Sequence, residues 1–382
     1  MPANMRLGLI IYGTLDTLSG GYLYDRQLVA HLRSQGDRVE IISLPWRSYA
    51  HHLADNLSTK LLRHLQRLDL DILLQDELNH PSLFWLNQRL RQEVSYPIVS
   101  IVHHLRSSEA RPTWQNRFYR LVERRYLSGV NSFIFNSRTT RQAVVDCLEN
   151  QGPLSHGVVA YPAGDRFAPH LNDQEIVDRA GAPGPLRLLF LGNIIPRKGL
   201  HTLLGALNRL PDARSAGSWT LKVIGSPEVD RAYTSRIQRL VARYRFGENV
   251  QFLGVLNDRL LADQLSNSHV LAVPSSYEGF GIVYLEGMSF GLPAIASSAG
   301  AAGEIITSGK DGFIIPPGDE ITLAHHLQEL IRDRQRLQKM SLAARQRYRA
   351  QPTWEVSMSR ARRFLLSLLE STHPCQELEA VT

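Results

Sequence analysis

Cysteine is scarce: Cys147 and Cys375 are the two in 382 residues. Two cysteines make neither a disulfide framework nor a zinc-ligand pattern, so a reducing cytoplasm is the expected setting. No apolar run approaches the roughly 18 residues of a membrane span. The opening MPANMRLGLIIYG lacks a basic region, a long apolar core and a small-residue cleavage site. Its short apolar run reads as a first strand, and no secretory leader is expected. Repeats and low-complexity tracts are also missing. Charge of neither sign is scarce: 43 Lys and Arg face 36 Asp and Glu, a net +7. That excess suits nucleic acid, an anionic membrane face or an anionic substrate, and composition alone does not choose. With 43% apolar and 21% charged residues the chain is globular rather than disordered. Its length exceeds one ordinary core and predicts two domains.

Short apolar runs alternate with amphipathic stretches. LGLIIYG (7–13), RVEIISL (38–44), DILLQDE (71–77), PIVSIVHH (97–104), SFIFNS (132–137) and VVAYP (158–162) read as strands, most of them separated by helical segments. GAPGP (181–185) then breaks the pattern as a linker would. Alternation restarts with LRLLFLGN (186–193), LKVIGS (221–226), VQFLG (250–254), HVLAVPS (269–275), LPAIASS (292–298) and GFIIPPGD (312–319). The expected fold is α/β: two Rossmann-like, doubly wound parallel-sheet domains facing a cleft. The expected bounds are 1–180 and 186–352, with a C-terminal helix in 353–382 that docks back on the first domain. In open parallel sheets ligands sit beyond the carboxyl ends of the strands, which makes the residues after each strand the ones to read.

After HVLAVPS comes YEGFGIVYLEG (277–287), where seven residues separate Glu278 from Glu286. Gly279 and Gly281 let backbone approach a ligand, and a helical apolar pattern starts near Phe280. The first N–H groups of a helix lack intrahelical partners and favour an anion. A phosphate there would put one carboxylate within reach of sugar hydroxyls on either side. By spacing alone the stretch is equally a turn before a buried amphipathic helix.

The longer stretch PSSYEGFGIVYLEGMSFGLPAIASSAGAAGEII resembles the C-terminal signature of glycosyltransferase family 4, retaining transferases of GT-B fold with a Glu-x7-Glu motif. LLFLGNIIPRKGLHTLLGAL resembles the family's strand, basic loop and helix, and LKVIGS, ENVQFLGVL and GKDGFIIPPGD resemble its later strands. SGGYLYDRQLV, VHH, FNSRTTRQAV and YPAGDRF extend the likeness more weakly into the first half. The resemblance implies a nucleotide-sugar donor held in the second domain. Glu278 would approach the donor sugar and serve in catalysis. Backbone N–H groups near Phe280, Gly281 and Ile282 would face the donor, and Glu286 would bind the ribose. Arg197 and Lys198 of PRKG would hold the diphosphate. Many relatives have Gly-Arg at that strand end, where this chain has Gly192-Asn193.

In the first half, Gly20 and Gly21 of SGGY permit a tight turn near a phosphate or acceptor, although a G-x-G-x-x-G fingerprint is missing. The family has a His at the end of the fourth strand. His103 is the expected equivalent, orienting the donor sugar or stabilising its developing positive charge, with His104 second. Tyr22, Asp76, Glu77, His80 and His104 are the candidate acceptor contacts. Asp69-Leu70-Asp71 has the D-x-D spacing of the other glycosyltransferase fold, but it precedes a strand and reads as a turn. No metal or other cofactor is expected. RPTWQNRFYRLVERRY (111–126) mixes arginines with aromatics, suiting either an anionic membrane surface or inward packing. Nucleic acid is not an expected partner. The resulting expectation is a metal-independent retaining hexosyltransferase, cytoplasmic or peripheral to the inner membrane face. It would move sugar from a nucleotide donor to an acceptor hydroxyl. A GT-B sugar-nucleotide epimerase or hydrolase, or a non-catalytic nucleotide-sugar binding protein, are the alternatives.

Overall fold

The computed structural model describes residues 4–17, 19–148, 156–213 and 217–372. The strands are β1 (Arg6–Tyr12), β2 (Arg38–Leu44), β3 (Ile72–Asp76), β4 (Ile98–Val102), β5 (Ser132–Phe135) and β6 (Gly157–Val159), then β7 (Leu186–Leu191), β8 (Trp219–Ile224), β9 (Val250–Gly254), β10 (Val270–Val273), β11 (Ala294–Ser297) and β12 (Gly312–Ile315). They form two six-stranded sheets, ordered β2-β1-β3-β4-β5-β6 and β12-β11-β10-β7-β8-β9. Every pairing is parallel. Central strands such as β3 and β4 are buried throughout, which is why they read as unbroken apolar runs rather than alternating ones.

The chain divides into two compact units. Residues 1–162 and 354–382 form one, and 163–353 form the other. The division falls after Pro162 rather than at GAPGP. The Asp173–Gly181 helix, closed by an Asn172/Glu175 capping box, already belongs to the second unit. It packs on the Arg334–Arg349 helix, and Gln338 Nε2 donates to the Val177 carbonyl at 3.1 Å. GAPGP only feeds the chain into β7.

The C-terminal helix, Trp354–Thr372, belongs to the first unit. Its Arg362 donates twice to Asp37, at 2.7 and 3.0 Å, with both side chains buried. A forked guanidinium–carboxylate pair fixes geometry as well as charge. Asp37 also accepts from the Met5 backbone N–H at 3.0 Å, so one carboxylate ties the helix to the root of β1.

Each sheet reverses its winding once, and a crevice opens there beyond the carboxyl ends of the flanking strands. In the second unit this point lies between β7 and β10. In the first it lies between β1 and β3.

Candidate functional site

The second unit's reversal point gathers the loops that follow β7 and β10. After β7, Pro196–Lys198 forms one 3₁₀ turn, and Gly199 follows in the left-handed region at φ +73°. A Cβ at Gly199 would stand 2.0 Å from the Pro274 carbonyl oxygen, so only glycine lets the two loops meet. Ser276 N–H donates to the Arg197 carbonyl at 2.7 Å, and Arg197 Nη1 donates to the Tyr277 carbonyl at 2.9 Å. This backbone stitching brings Lys198 Nζ to 2.6 Å from Glu278 Oε2. Arg197 Nη1 stands 3.6 Å from the same oxygen, and Ser275 Oγ donates to it at 3.1 Å.

The pair is well sheltered: the Lys198 side chain is 12% exposed and that of Glu278 14%. Burial pushes the Glu278 carboxyl up, but Lys198 and Arg197 outweigh it and hold the group at about 2. Burial pulls the Lys198 ammonium down, partly offset by Glu278.

The helix after this loop is Ile282–Ser289. It starts two residues later than the apolar pattern suggests, because Gly281 sits at φ +99° and forms its N-cap. No side chain caps that end; the Tyr284 N–H turns back to the Gly281 carbonyl at 2.9 Å, and the N–H groups ahead of it, of Ile282 and Val283, face the loop where an anion would sit. Glu286 consequently lies just over one turn in, nearer the start than its spacing implied. It is buried, and Arg166 Nη1 donates to its Oε1 at 3.4 Å. Arg166 is held in turn by Asp258 at 2.5 Å. Burial raises the Glu286 carboxyl, with Arg166 pulling the other way. Asn193 Oδ1 accepts from the Ser226 N–H at 3.4 Å, tying the exits of β7 and β8 together.

In the first unit, His103 follows β4, and its Nε2 lies 3.2 Å from Asp25 Oδ1. Asp25 is fully buried, and its second oxygen has no hydrogen-bond partner. Burial opposes charge on His103, but Asp25 and Asp76 overcome it and raise the imidazole to about 9. Gly20 and Gly21 are not in a tight turn. They open the Gly20–Ser34 helix, whose N-cap Ser19 accepts from the Tyr22 N–H. Gly21 matters for closeness instead: a Cβ there would stand 3.1 Å from the His103 ring.

The acceptor candidates divide. Glu77, His80 and His104 line one pocket within the first unit, whereas Tyr22 and Asp76 do not. Tyr22 gives its hydroxyl to the Tyr12 carbonyl at 2.6 Å, and Asp76 caps the Leu78 N–H at 2.9 Å. Asp71 pairs with Arg6 at 2.7 Å ahead of β3, so the D-x-D stretch stands at the opposite end of the strand from these groups. Among the described residues, Asp25, Asp76 and His103 bring ligand atoms within 4.8 Å of one another, as do Glu77, His80 and Glu123. Arg166, Asp25 and Ser275 escaped the sequence reading. Arg166 and Asp25 lie in stretches whose resemblance was noted, but nothing local says which carboxylate or histidine each meets.

Residues 173–347 match the family of glycosyl transferases group 1. That match lies inside the second unit. Over 175 residues the chain is 30% identical to the glycogen synthase of Mycobacterium tuberculosis, covering 45% of this chain and 40% of that protein. Over 181 residues it is 32% identical to the GDP-mannose-dependent monoacylated alpha-(1-6)-phosphatidylinositol monomannoside mannosyltransferase of Corynebacterium glutamicum, covering 46% and 45%. The chain thus spans less than half the length of these relatives. The structure of sucrose-phosphate synthase from Thermosynechococcus elongatus superposes with a TM-score of 0.80 at 21% identity, over 96% of this chain and 100% of that one. At that identity the likeness establishes the fold, which is GT-B. The matched stretch contains Lys198, Glu278 and Glu286 together, while Arg166 lies just ahead of it. No described helix is long and apolar enough to cross a membrane.

Proposed function

We propose that this chain is a retaining glycosyltransferase of family 4 type that moves a hexosyl group from a nucleotide-sugar donor to an acceptor hydroxyl without a metal. The observation that carries the reading is the sheltered Lys198–Glu278 pair beside an uncapped helix start, with Glu286 buried in that same helix. Lys198, Arg197 and the opening N–H groups stabilise the charge that gathers on the departing diphosphate. In their place a metal is not required. Glu278 holds Lys198 in position and accepts from the donor sugar. Glu286 accepts ribose hydroxyls, oriented by Arg166.

His103 acts toward the sugar as a hydrogen-bond donor. With Asp25 on Nε2 and the ring kept charged to about pH 9, its Nδ1–H is the group left to give. A charged ring does not suit the other role, stabilising positive charge on the sugar. No nucleophile takes part, so retention goes through front-face transfer, the leaving phosphate accepting the acceptor's proton.

The protein works in the cytoplasm against an anionic membrane face. On the Thr113–Leu127 helix, Trp114 (70% exposed), Phe118 (43%) and Leu121 (65%) share a face with exposed Arg117 and Arg125. That pairing of apolar and basic groups suits a headgroup layer.

Titration with UDP, GDP and ADP and with their sugars tests the reading. Ligand at 100 times its dissociation constant adds about 2.7 kcal/mol and raises the melting temperature. Transfer to an added acceptor supports the proposal. Sugar release or rearrangement at the same rate without acceptor points to the hydrolase or epimerase instead, and no nucleotide binding points to a non-catalytic protein.

A further inference from the structure

The reversal point of the first sheet carries a pocket of about 280 Å³ beyond β1 and β3. Small-molecule pockets run from about 300 to 1,000 Å³, so this one suits a single sugar-sized ring. Tyr12, Trp46 and Tyr49 supply its aromatic wall. Trp46 and Tyr12 lean on each other with ring centroids 5.2 Å apart. Tyr12 is buried against His52, ring centroids 4.0 Å apart, so the exposed Trp46 face is the one that suits the C–H surface of a hydroxylated ring.

One cation on the wall stands out by its partners. Arg106 lies over the rings of Tyr119 and Tyr49, 4.8 and 5.2 Å from their centroids. Its Nε is buried without a hydrogen-bond partner, and no carboxylate lies within ion-pair distance of it among the described residues. The turn that carries it, Arg106–Ser108, is pinned by buried Glu123, which accepts from the Ser107 N–H at 3.2 Å. Other charged groups of the wall are matched: Arg47 with Asp55 at 3.1 Å, and Glu109 with Arg111 at 2.6 Å and His104 at 3.0 Å. A guanidinium held over two rings, facing a cavity with no ion pair of its own and only the longer-range pull of Glu77, can take an anion.

On the same wall Glu77 is 4% exposed, and its Oε1 has no hydrogen-bond donor. His80 Nδ1 is 3.1 Å from that oxygen, but its hydrogen goes to the Glu77 carbonyl at 3.0 Å, and His80 Nε2 takes the Tyr49 hydroxyl at 3.1 Å. A buried carboxyl oxygen without a donor is costly unless a ligand hydroxyl fills it.

We propose that this pocket is the acceptor site and that the acceptor is a compact polyhydroxylated ring carrying a phosphate or carboxylate. The anion sits on Arg106, a ring hydroxyl on Glu77 and the ring against the aromatic wall. The inference rests on the glycosyltransferase reading for the word acceptor, but the binding chemistry stands without it.

Calorimetric titration of the full chain tests it with five probes: myo-inositol 1-phosphate, glucose 6-phosphate, the neutral inositol and glucose, and inorganic phosphate. A sixth arm uses phosphatidylcholine vesicles with and without phosphatidylinositol. We expect at least one anionic polyol, free or as the lipid headgroup, to bind at least tenfold more tightly than its neutral parent. Arg106→Met keeps the stem over the tyrosines and should remove that preference. Glu77→Gln should weaken the polyol phosphate about tenfold while leaving inorganic phosphate unchanged, which covers the case where the Arg106 variant fails to fold. Binding of the soluble phosphates assigns a free acceptor, and binding of phosphatidylinositol vesicles alone, lost in Arg106→Met, assigns a lipid headgroup. Equal affinity for neutral and phosphorylated polyols, affinity indifferent to Arg106→Met, or no binding in any arm overturns the proposal. Titration with nucleoside diphosphates separates the two readings. Nucleotide binding with no Arg106-dependent polyol binding sinks the pocket assignment alone. Arg106-dependent polyol binding without nucleotide binding sinks the transferase reading alone.

Discussion

Removing the Lys198 ammonium while keeping its stem, as Lys198→Met, isolates the charge pair at the head of the proposed donor site. Breaking a buried pair by deleting one partner costs about 3–5 kcal/mol. Arg197 at 3.6 Å and Ser275 at 3.1 Å still face Glu278, so the low end applies. Linkage gives an independent figure. A carboxyl at about 2 in the fold and 4.5 in the unfolded chain contributes roughly 3 kcal/mol near neutral pH. The burial cost of Lys198 subtracts from this. The folded value of Glu278 is depressed, so this stability is present above pH 4.5 and is lost as pH falls from about 4.5 towards about 2. For a unit of roughly 190 residues, 3 kcal/mol corresponds to about 6–12 °C in melting temperature. Scanning calorimetry of the full chain and of the variant at several pH values reads both quantities. We expect a gap of that size at pH 7 that narrows below pH 4.5. A variant melting within about 2 °C of the wild type at pH 7, or a gap that stays constant down to pH 3, would refute the reasoning.

Four further outcomes are expected. Glu286→Ala should weaken nucleoside diphosphate binding by about 1.5–3 kcal/mol with the fold retained, and a folded variant with unchanged calorimetric affinity removes Glu286 from the site. Transfer should survive EDTA, and loss restored by magnesium or manganese contradicts the metal-free proposal. His103→Ala should lower turnover about 100- to 10,000-fold with little change in nucleotide affinity, and a folded variant with unchanged turnover removes His103 from the reaction. Reversing the charge of Arg117 and Arg125 should reduce sedimentation with anionic vesicles, and wild-type binding should weaken with salt because exposed charges are screened over about 8 Å; a wild type that ignores such vesicles at low salt leaves the Thr113–Leu127 face without a lipid role.

All twelve strands were legible in the sequence; central ones such as β3, β4 and β10 read as unbroken apolar runs because they are buried on both faces, whereas edge strands such as β2 and β9 are partly exposed and more mixed. The Lys198 and Glu278 loops were legible too, as basic and glycine-rich turns following such runs. What the sequence could not determine is which strand neighbours which. Sheet order alone puts the β7 and β10 exits side by side, and so turns two loops 80 residues apart into one ion pair. The same holds for Asp25 on His103 and Arg166 on Glu286, pairs 78 and 120 residues apart. It holds for the domain boundary, where GAPGP resembles a linker but the helix before it packs inside the second unit. Arg106 shows the limit most sharply. Within LRSSE it is one arginine among many, and only the tertiary structure shows it held by two tyrosine rings at a pocket wall, with no close ion pair among the described residues. Local patterns encode burial and backbone geometry, which depend on near neighbours. The charge state and partners of a side chain depend on groups that only folding brings within a few ångströms.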